Sequence, residues 1–269
     1  DGSEKEAQTV SPHHEKLVQL YNVVASTPFV YSRTEVDDYG TKALKLRGDA
    51  RIYALWRVLY AYKNDQNEAK LMQWHDQISA LAQKEDDSNL DLLARFMAQA
   101  YQNEVHGFTA FTDREWSSYL TTTDKALQSI ILVEKARQLQ HFQQWADAID
   151  VGDGLVRQLQ SEGAEAAAVL NVAHQTLAYN MAEVGDYDSY ADHMLAMARL
   201  SGQNSFFSQK MDMVYDLAFW ASQENDTPIA EKFQYIHADN VRKYTIEDLK
   251  TWDEFLCASI ESQGKKYQG

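Results

Sequence analysis

A fourteen-residue pattern recurs five times along this chain of 269 residues, at steps of 41, 38, 42 and 40 residues. The copies are "WRVLYAYKNDQNEA" from 56, "MAQAYQNEVHGFTA" from 97, "KARQLQHFQQWADA" from 135, "LAYNMAEVGDYDSY" from 177 and "LAFWASQENDTPIA" from 217. Four copies have alanine at the second position and four at the last, which gives Ala98, Ala136, Ala178 and Ala218, then Ala69, Ala110, Ala148 and Ala230. Since helices approach closely only where the contact residues are small, the pattern predicts a repeated pair of antiparallel helices.

The composition favours an all-α fold. The chain is 45% hydrophobic, which is enough for a sizeable core, and it contains only 11 Gly and 3 Pro. That is too little turn chemistry for a protein of many strands. No zinc-protease helix, phosphate-binding loop or nucleophile elbow occurs in the sequence, so we expect no enzyme activity, no cofactor and no metal in this chain.

The charge balance excludes several classes of partner. With 25 Lys and Arg against 40 Asp and Glu, the net charge is −15. Nucleic acids and anionic lipid surfaces are bound mainly through cationic side chains, so we expect neither as a partner. No apolar run approaches the roughly 18 residues of a transmembrane helix.

The five copies resemble the tetratricopeptide repeat family. The likeness lies in an apolar residue, an alanine and a large residue on the first helix, a Gly-Asp-Tyr turn and an alanine on the second helix, and "LAYNMAEVGDYDSY" carries it best. The resemblance implies a superhelical stack of antiparallel helix pairs, an α-solenoid with a repeat of about 40 residues and capping helices at its ends. A helical bundle with accidental periodicity is the alternative.

We expect one continuous domain with four parts. Residues 1–11 form a flexible N-terminus, residues 12–49 form N-terminal capping helices, and residues 50–243 form the five repeats. Residues 244–269 form a C-terminal capping helix and tail, with Thr245 as its N-cap and the lone Cys257 buried within it. An apolar stripe in that last segment supports the terminal helix.

The resemblance also implies where a ligand binds. In the tetratricopeptide family the first helix of each pair lines a concave groove that holds peptides. The matching positions here are Arg51, Tyr62, Arg95, Gln99, Gln102, Asn103, Arg137, His141, Gln175, Tyr179, Glu183, Asp212, Tyr215 and Phe219. Three arginines on one face would bind a carboxylate bidentately, which predicts a peptide or a small acidic ligand. Alternatively, the arginines pair with the surplus acidic residues of the chain itself.

Two roles are consistent with this sequence. Degenerate, acidic repeats near 40 residues are similar to the extracytoplasmic sensor regions of bacterial diguanylate cyclases of the GGDEF type and of histidine kinases. That resemblance implies a non-catalytic, periplasmic sensor module whose output domain lies outside this chain, in agreement with the polar start at Asp1 and the end "GKKYQG". The alternative is a free-standing scaffold for protein–protein interaction, periplasmic or cytoplasmic. A homodimer stays open in both cases.

Overall fold

The computed structural model describes residues 11–26, 35–105, 107–201 and 209–242. These residues form helices and no strand, so the predicted all-α class is confirmed for the part of the chain that is described. The helices are α1 (His14–Ser26), α2 (Glu35–Ala43), α3 (Gly48–Asn64), α4 (Glu68–Glu85), α5 (Ser88–Val105), α6 (Asp113–Tyr119), α7 (Lys125–His141), α8 (Trp145–Leu159), a short 3₁₀ helix (Ala164–Ala166), α9 (Ala167–Glu183), α10 (Tyr187–Ser201), α11 (Gln209–Gln223) and α12 (Thr227–Arg242).

Four of the five predicted helix pairs are joined by the same three-residue turn. In each, a main-chain carbonyl in the last turn of the first helix accepts from the N–H five residues later, at 2.9 to 3.0 Å; the acceptors are Tyr62, Leu139, Met181 and Ala221. The middle residue of each turn has a positive φ of 51° to 80°, at Gln66, Gln143, Gly185 and Asn225. This is the Schellman geometry, which ends one helix and lets the next begin at once.

The turns correct the alignment of the first copy. They make Tyr62 equivalent to Leu139, Met181 and Ala221, whereas the sequence alignment placed Tyr60 there. When the first copy is shifted by two residues to match the others, its second and last positions are Leu59 and Leu71. Both leucines are fully buried, whereas Ala69 is exposed. The first pair therefore packs through leucine rather than through small residues.

The second copy departs from the pattern in another way. After α5 the chain runs through residues 106–112 before α6, which has only seven residues. The Thr112 side chain caps α6 by accepting a hydrogen bond from the backbone N–H of Glu115. The Glu115 side chain accepts one in return from the backbone N–H of Thr112. Ala98 is half-buried and Ala110 is exposed, so the predicted close alanine contact is absent from this copy.

Small or apolar residues do occupy the predicted buried positions in the last three copies. On the first helix these are Ala136, Ala178 and Ala218, and on the second they are Ala148, Tyr190 and Ala230. Each is at most 7% exposed. The alanine pattern therefore describes three of the five copies, and the solenoid arrangement as a whole stays a prediction.

The described residues group into two compact units, and the single continuous domain stays a prediction. Of the described residues, 11–25 and 209–242 belong to the smaller unit, and 26, 35–105 and 107–201 belong to the larger one. Residues 1–10 and 243–269 lie outside the described part, and with them lie the predicted flexible N-terminus, the capping helix, Thr245 and Cys257. Of the predicted N-terminal caps, α2 packs on α3, but α1 belongs to the smaller unit.

The smaller unit holds α1 against the last helix pair. Ser11 donates to Glu224 at 2.9 Å, and the His13 ring nitrogen lies 3.1 Å from the same carboxylate. Farther along α1, Tyr21 packs edge-on against Phe233 of α12, with ring centroids 5.8 Å apart. The first and last described helices of the chain thus share one core.

In the larger unit, α3 is enclosed on all sides. Thirteen consecutive residues, Arg51 to Lys63, are buried, and the helix packs against α2, α4, α5, α7 and α9. Surface helices bury one stripe, whereas a helix that buries its whole circumference lies inside the protein. Direct contact of α3 with α7 and α9 differs from an open ribbon, in which each pair contacts only its neighbours.

Substitution of Gly152 in α8 tests how closely α8 packs against α9. A Cβ built on Gly152 would lie 2.8 Å from Cδ2 of the buried Leu177, whereas one on Gly154 would meet nothing within 4 Å. We expect Gly152→Ala to lower the free energy of unfolding by about 1–2 kcal/mol, because the overlap outweighs the gain in helix propensity. Gly154→Ala is the matched control and should raise that free energy by about 0.5–1 kcal/mol. Urea unfolding measures both; equal shifts of the same sign would contradict the packing.

A histidine pair between α9 and α10 makes stability depend on pH. Nδ1 of His174 lies 2.9 Å from Nδ1 of His193, so one ring donates to the other and at least one must be neutral. Burial and the neighbouring histidine lower the pKa of His174 to about 4. Burial also lowers the pKa of His193, although Asp153, Asp192 and Asp186 oppose this.

Because these pKa values lie below those of the unfolded chain, the unfolded state binds more protons as the pH falls from about 6.5 to 4. We expect the free energy of unfolding to fall by about 2 kcal/mol over that window on account of His174 alone. In His174→Leu this pH-dependent loss should largely disappear, while His75→Gln, on α4, should keep it. Thermal unfolding at a series of pH values measures the difference, and identical pH profiles for parent and His174→Leu would refute the assignment.

Candidate functional site

Arg51, the first predicted groove arginine, is an internal residue. Its side chain is 3% exposed; Nη1 donates to Glu85 of α4 at 2.7 Å, and Nε donates to the carbonyl of Leu46. Arg47 binds the same carboxylate from the surface. Both arginines, with Arg51 the larger influence, lower the pKa of Glu85. Arg51 therefore joins the start of α3 to the end of α4 and faces no groove.

Arg137 belongs to a buried ionic network at the other end of α3. Its Nη1 lies 3.0 Å from Oε2 of Glu134 and 3.4 Å from Oε1 of Glu104. Lys63 of α3, with no exposed side-chain surface, donates to Glu104 and lies 3.2 Å from Glu134. Two cations and two carboxylates thereby link α3, α5 and α7, and this network was not foreseen from the sequence.

Tyr60 forms one wall of this network. The guanidinium of Arg137 lies 5.2 Å from the ring centroid and the ammonium of Lys63 lies 5.7 Å from it, both within cation–π range. Burial opposes ionisation of Glu134, but Lys63 and Arg137 outweigh it and lower the pKa of that carboxyl. The network is charged and internally neutralised.

The three predicted arginines do not converge. Arg95 is exposed and binds Asp91, one turn earlier on α5, at 2.8 Å. Arg51 precedes Tyr60, the contact of Arg137, by nine residues on α3, which is about 13 Å along the helix axis. Each arginine has an acidic partner in its own chain, and the ligand-binding groove stays a prediction.

The other predicted groove residues are dispersed. Tyr62 is buried and donates to Asp37 of α2 at 2.6 Å. Gln99 donates to Asn103 at 2.8 Å, and Gln102 donates to Glu68 at 3.4 Å. The Tyr62 and Gln102 bonds join neighbouring helices, whereas the Gln99 bond lies within α5.

The predicted positions nearer the C-terminus are more exposed. His141 stacks on Phe108 with ring centroids 3.5 Å apart. Gln175 is half-buried, whereas Tyr179, Glu183 and Phe219 are exposed. The side chains of Asp212 and Tyr215 lie outside the described part of the chain.

An open cavity of about 580 Å³ lies elsewhere in the larger unit, where the first turns of α3 and α7 meet the end of α8 and the 3₁₀ helix. This volume lies within the range of small-molecule sites. The cavity is lined by polar side chains, namely Asp49, Tyr53, Lys125, Gln128, Gln158, Ser161, Glu162 and Glu165.

Hydrogen bonds fix the inner wall of the cavity. The Tyr53 hydroxyl, on the buried side of α3, donates to Glu162. Gln158 donates to Ser129 at 3.0 Å and to Glu162 at 3.4 Å. Burial, reinforced by Glu162, raises the pKa of Tyr53, so the phenol stays protonated and continues to donate.

The rim of the cavity carries excess negative charge. Asp49, Glu162 and Glu165 face a single cation, Lys125. The pKa of Asp49 is raised, mainly because the carboxyl is partly removed from water. Repulsion from Asp124, Glu162 and Glu165 adds to this shift, and Lys125 only partly offsets it. A bound cation would relieve that repulsion.

The acidic groups of the cavity wall do not form a cluster of metal ligands in the part of the chain that is described. In the described ranges, no three His, Cys, Asp or Glu side chains come together as metal ligands. Three carboxylates and one ammonium group line the cavity, which gives it a net negative charge. The sequence did not reveal this site because its residues come from α3, α7, α8 and the segment that follows α8, all outside the fourteen-residue copies.

None of the helices in the described part of the chain combines the length and the apolar character needed to cross a membrane. Comparison with protein-family models, with curated proteins and with solved structures gave no match. The function is therefore inferred from the geometry of the chain itself.

Proposed function

We propose that this chain is a non-catalytic binding module that takes a small organic cation into the acidic cavity of its larger unit. The observation that supports this is the charge of the cavity wall, where three carboxylates and one ammonium group line a space of about 580 Å³. Fixed hydrogen bonds at Tyr53 and Glu162 hold part of the wall in place before a ligand arrives, which lowers the entropy cost of binding.

The peptide or small acidic ligand expected from the arginines has less support. Arg51 and Arg137 are already bound by carboxylates of the chain, and a ligand would have to displace them from buried ion pairs. Arg95 alone is exposed, at 58% of its side chain. A cationic ligand needs no such exchange.

As a biological setting we propose the input region of a bacterial signalling protein, periplasmic in the first instance and cytoplasmic as the alternative. The support is the resemblance of the repeats to such sensor regions. A free-standing scaffold is the second candidate, favoured by apolar side chains exposed at the helix turns.

The cavity can be tested with an alkyl diamine, putrescine, and the size-matched dicarboxylate succinate. We expect calorimetry to detect putrescine binding that weakens with salt, because exposed charges are screened. Asp49→Asn and Glu165→Gln should each weaken it about three- to tenfold, since each removes one unit of charge. Lys125→Gln is the matched control and should strengthen binding by a similar factor.

The same titration has a predicted pH dependence. The pKa of Asp49 is raised, so lowering the pH neutralises it sooner than an ordinary aspartate and should weaken putrescine binding in the parent more than in Asp49→Asn. Tighter binding of succinate than of putrescine, or identical affinities in Asp49→Asn, Glu165→Gln and Lys125→Gln, would contradict the proposal.

A further inference from the structure

Large apolar side chains are exposed at one edge of the larger unit, where the first helices of three successive pairs end. Among the described residues, eight large hydrophobic side chains are exposed, and four of them lie in or beside these turns: Val105, Phe142, Val184 and Tyr187, at 40% to 51%. Exposed apolar side chains are normally scattered singly over a protein surface, so a cluster of them indicates an interaction site.

The turns that carry these residues are neighbours. Phe108, in the connection after α5, stacks on His141 at 3.5 Å and meets Phe142 edge-on at 6.2 Å. Helices α7 and α9 pack side by side and end in equivalent Schellman turns at Phe142 and Val184. We call this surface, formed by Val105, Phe108, His141, Phe142, Val184 and Tyr187, the turn edge.

The surroundings of the turn edge are strongly acidic. Residues 105–113, 141–150 and 183–192 contain seven carboxylates and no lysine or arginine. All seven carboxylates are exposed: Asp113, Asp147, Asp150, Glu183, Asp186, Asp188 and Asp192. A partner must therefore supply apolar side chains for the turns and positive charge for the rim.

We infer that the turn edge binds a basic amphipathic segment of another protein. A second copy of this chain is disfavoured, because an isologous contact would place the same seven carboxylates against each other. Nucleic acid and anionic lipid are disfavoured by the same charge. The site lies at the C-terminal ends of α7 and α9, whereas the cavity lies at the N-terminal ends of α3 and α7.

The test uses a labelled fourteen-residue model peptide of leucine and lysine with helical amphipathic spacing, followed by fluorescence anisotropy. Two control peptides accompany it: one with every lysine replaced by glutamate, and one with the same composition scrambled to remove the apolar face. We expect the basic amphipathic peptide to bind at least tenfold more tightly than either control peptide.

Uncharged variants separate the turn edge from general attraction to an acidic protein. The double variant Phe142→Gln with Val184→Gln should weaken binding at least tenfold, while Leu46→Gln, which removes an equally exposed apolar side chain outside the turn edge, should change it less than twofold. Asp49→Asn, in the cavity, should also leave peptide binding unchanged, so failure here and failure of the cavity proposal are distinguishable. Circular dichroism checks that each variant folds.

Three results would overturn the inference: equal binding by the turn-edge double variant and the parent, equal loss in Leu46→Gln, or equal binding of the scrambled peptide. Sedimentation gives an independent outcome. If the parent chain dimerises and the turn-edge double variant does not, the surface is a self-contact and the proposed partner is wrong.

Discussion

The structure of the larger unit depends on the enclosure of α3, whose last turn contains Lys63, a lysine with no exposed side-chain surface. An ammonium group removed from water costs several kcal/mol unless carboxylates of the protein replace its hydration. Glu104 of α5 and Glu134 of α7 supply that replacement for Lys63, and Arg137 balances the second carboxylate. Burial lowers the pKa of Lys63, reinforced by Arg137, and the two carboxylates oppose that shift. The ends of three parallel first helices are thus tied together by charge.

This enclosure decides where a ligand can bind. In an open array of helix pairs, the mid-sections of the first helices face a hollow. Here α3 contacts α7 and α9 directly, and its own mid-section is covered. The two candidate surfaces lie at helix ends: a polar cavity at the start of α3 and α7, and an apolar edge where α7 and α9 finish. The two sites differ in chemistry because one is lined by side chains of helix starts and the other by turn residues.

Local features were predictable from the sequence. The Gly-Asp turn at 185–186, the helix pairs around it and the buried Ala136, Ala178 and Ala218 follow from periodicity and turn chemistry. The first copy was misaligned because Leu59 and Leu71 stand where the other copies have alanine or, once, tyrosine. Only the hydrogen bonds of the turn fix the correct alignment of this copy with the others.

Long-range features were not predictable. A repeat pattern describes contacts between neighbours in sequence, and nothing in it indicates that α1 packs with α12 or that α3 reaches α9. The arginines were recognised as carboxylate-binding groups, which they are, but their partners are residues such as Glu85 and Glu134 whose positions depend on tertiary structure.

Chemical labelling of lysines in the folded protein tests the enclosure of α3 most directly. With an amine-reactive acetylating reagent and mass spectrometry, the exposed Lys45, Lys84 and Lys125 should react quickly, whereas Lys63 should react at least a hundredfold more slowly until the chain is unfolded. Modification of Lys63 at the rate of the exposed lysines under native conditions would show that α3 lies at an open surface, contrary to the structure described.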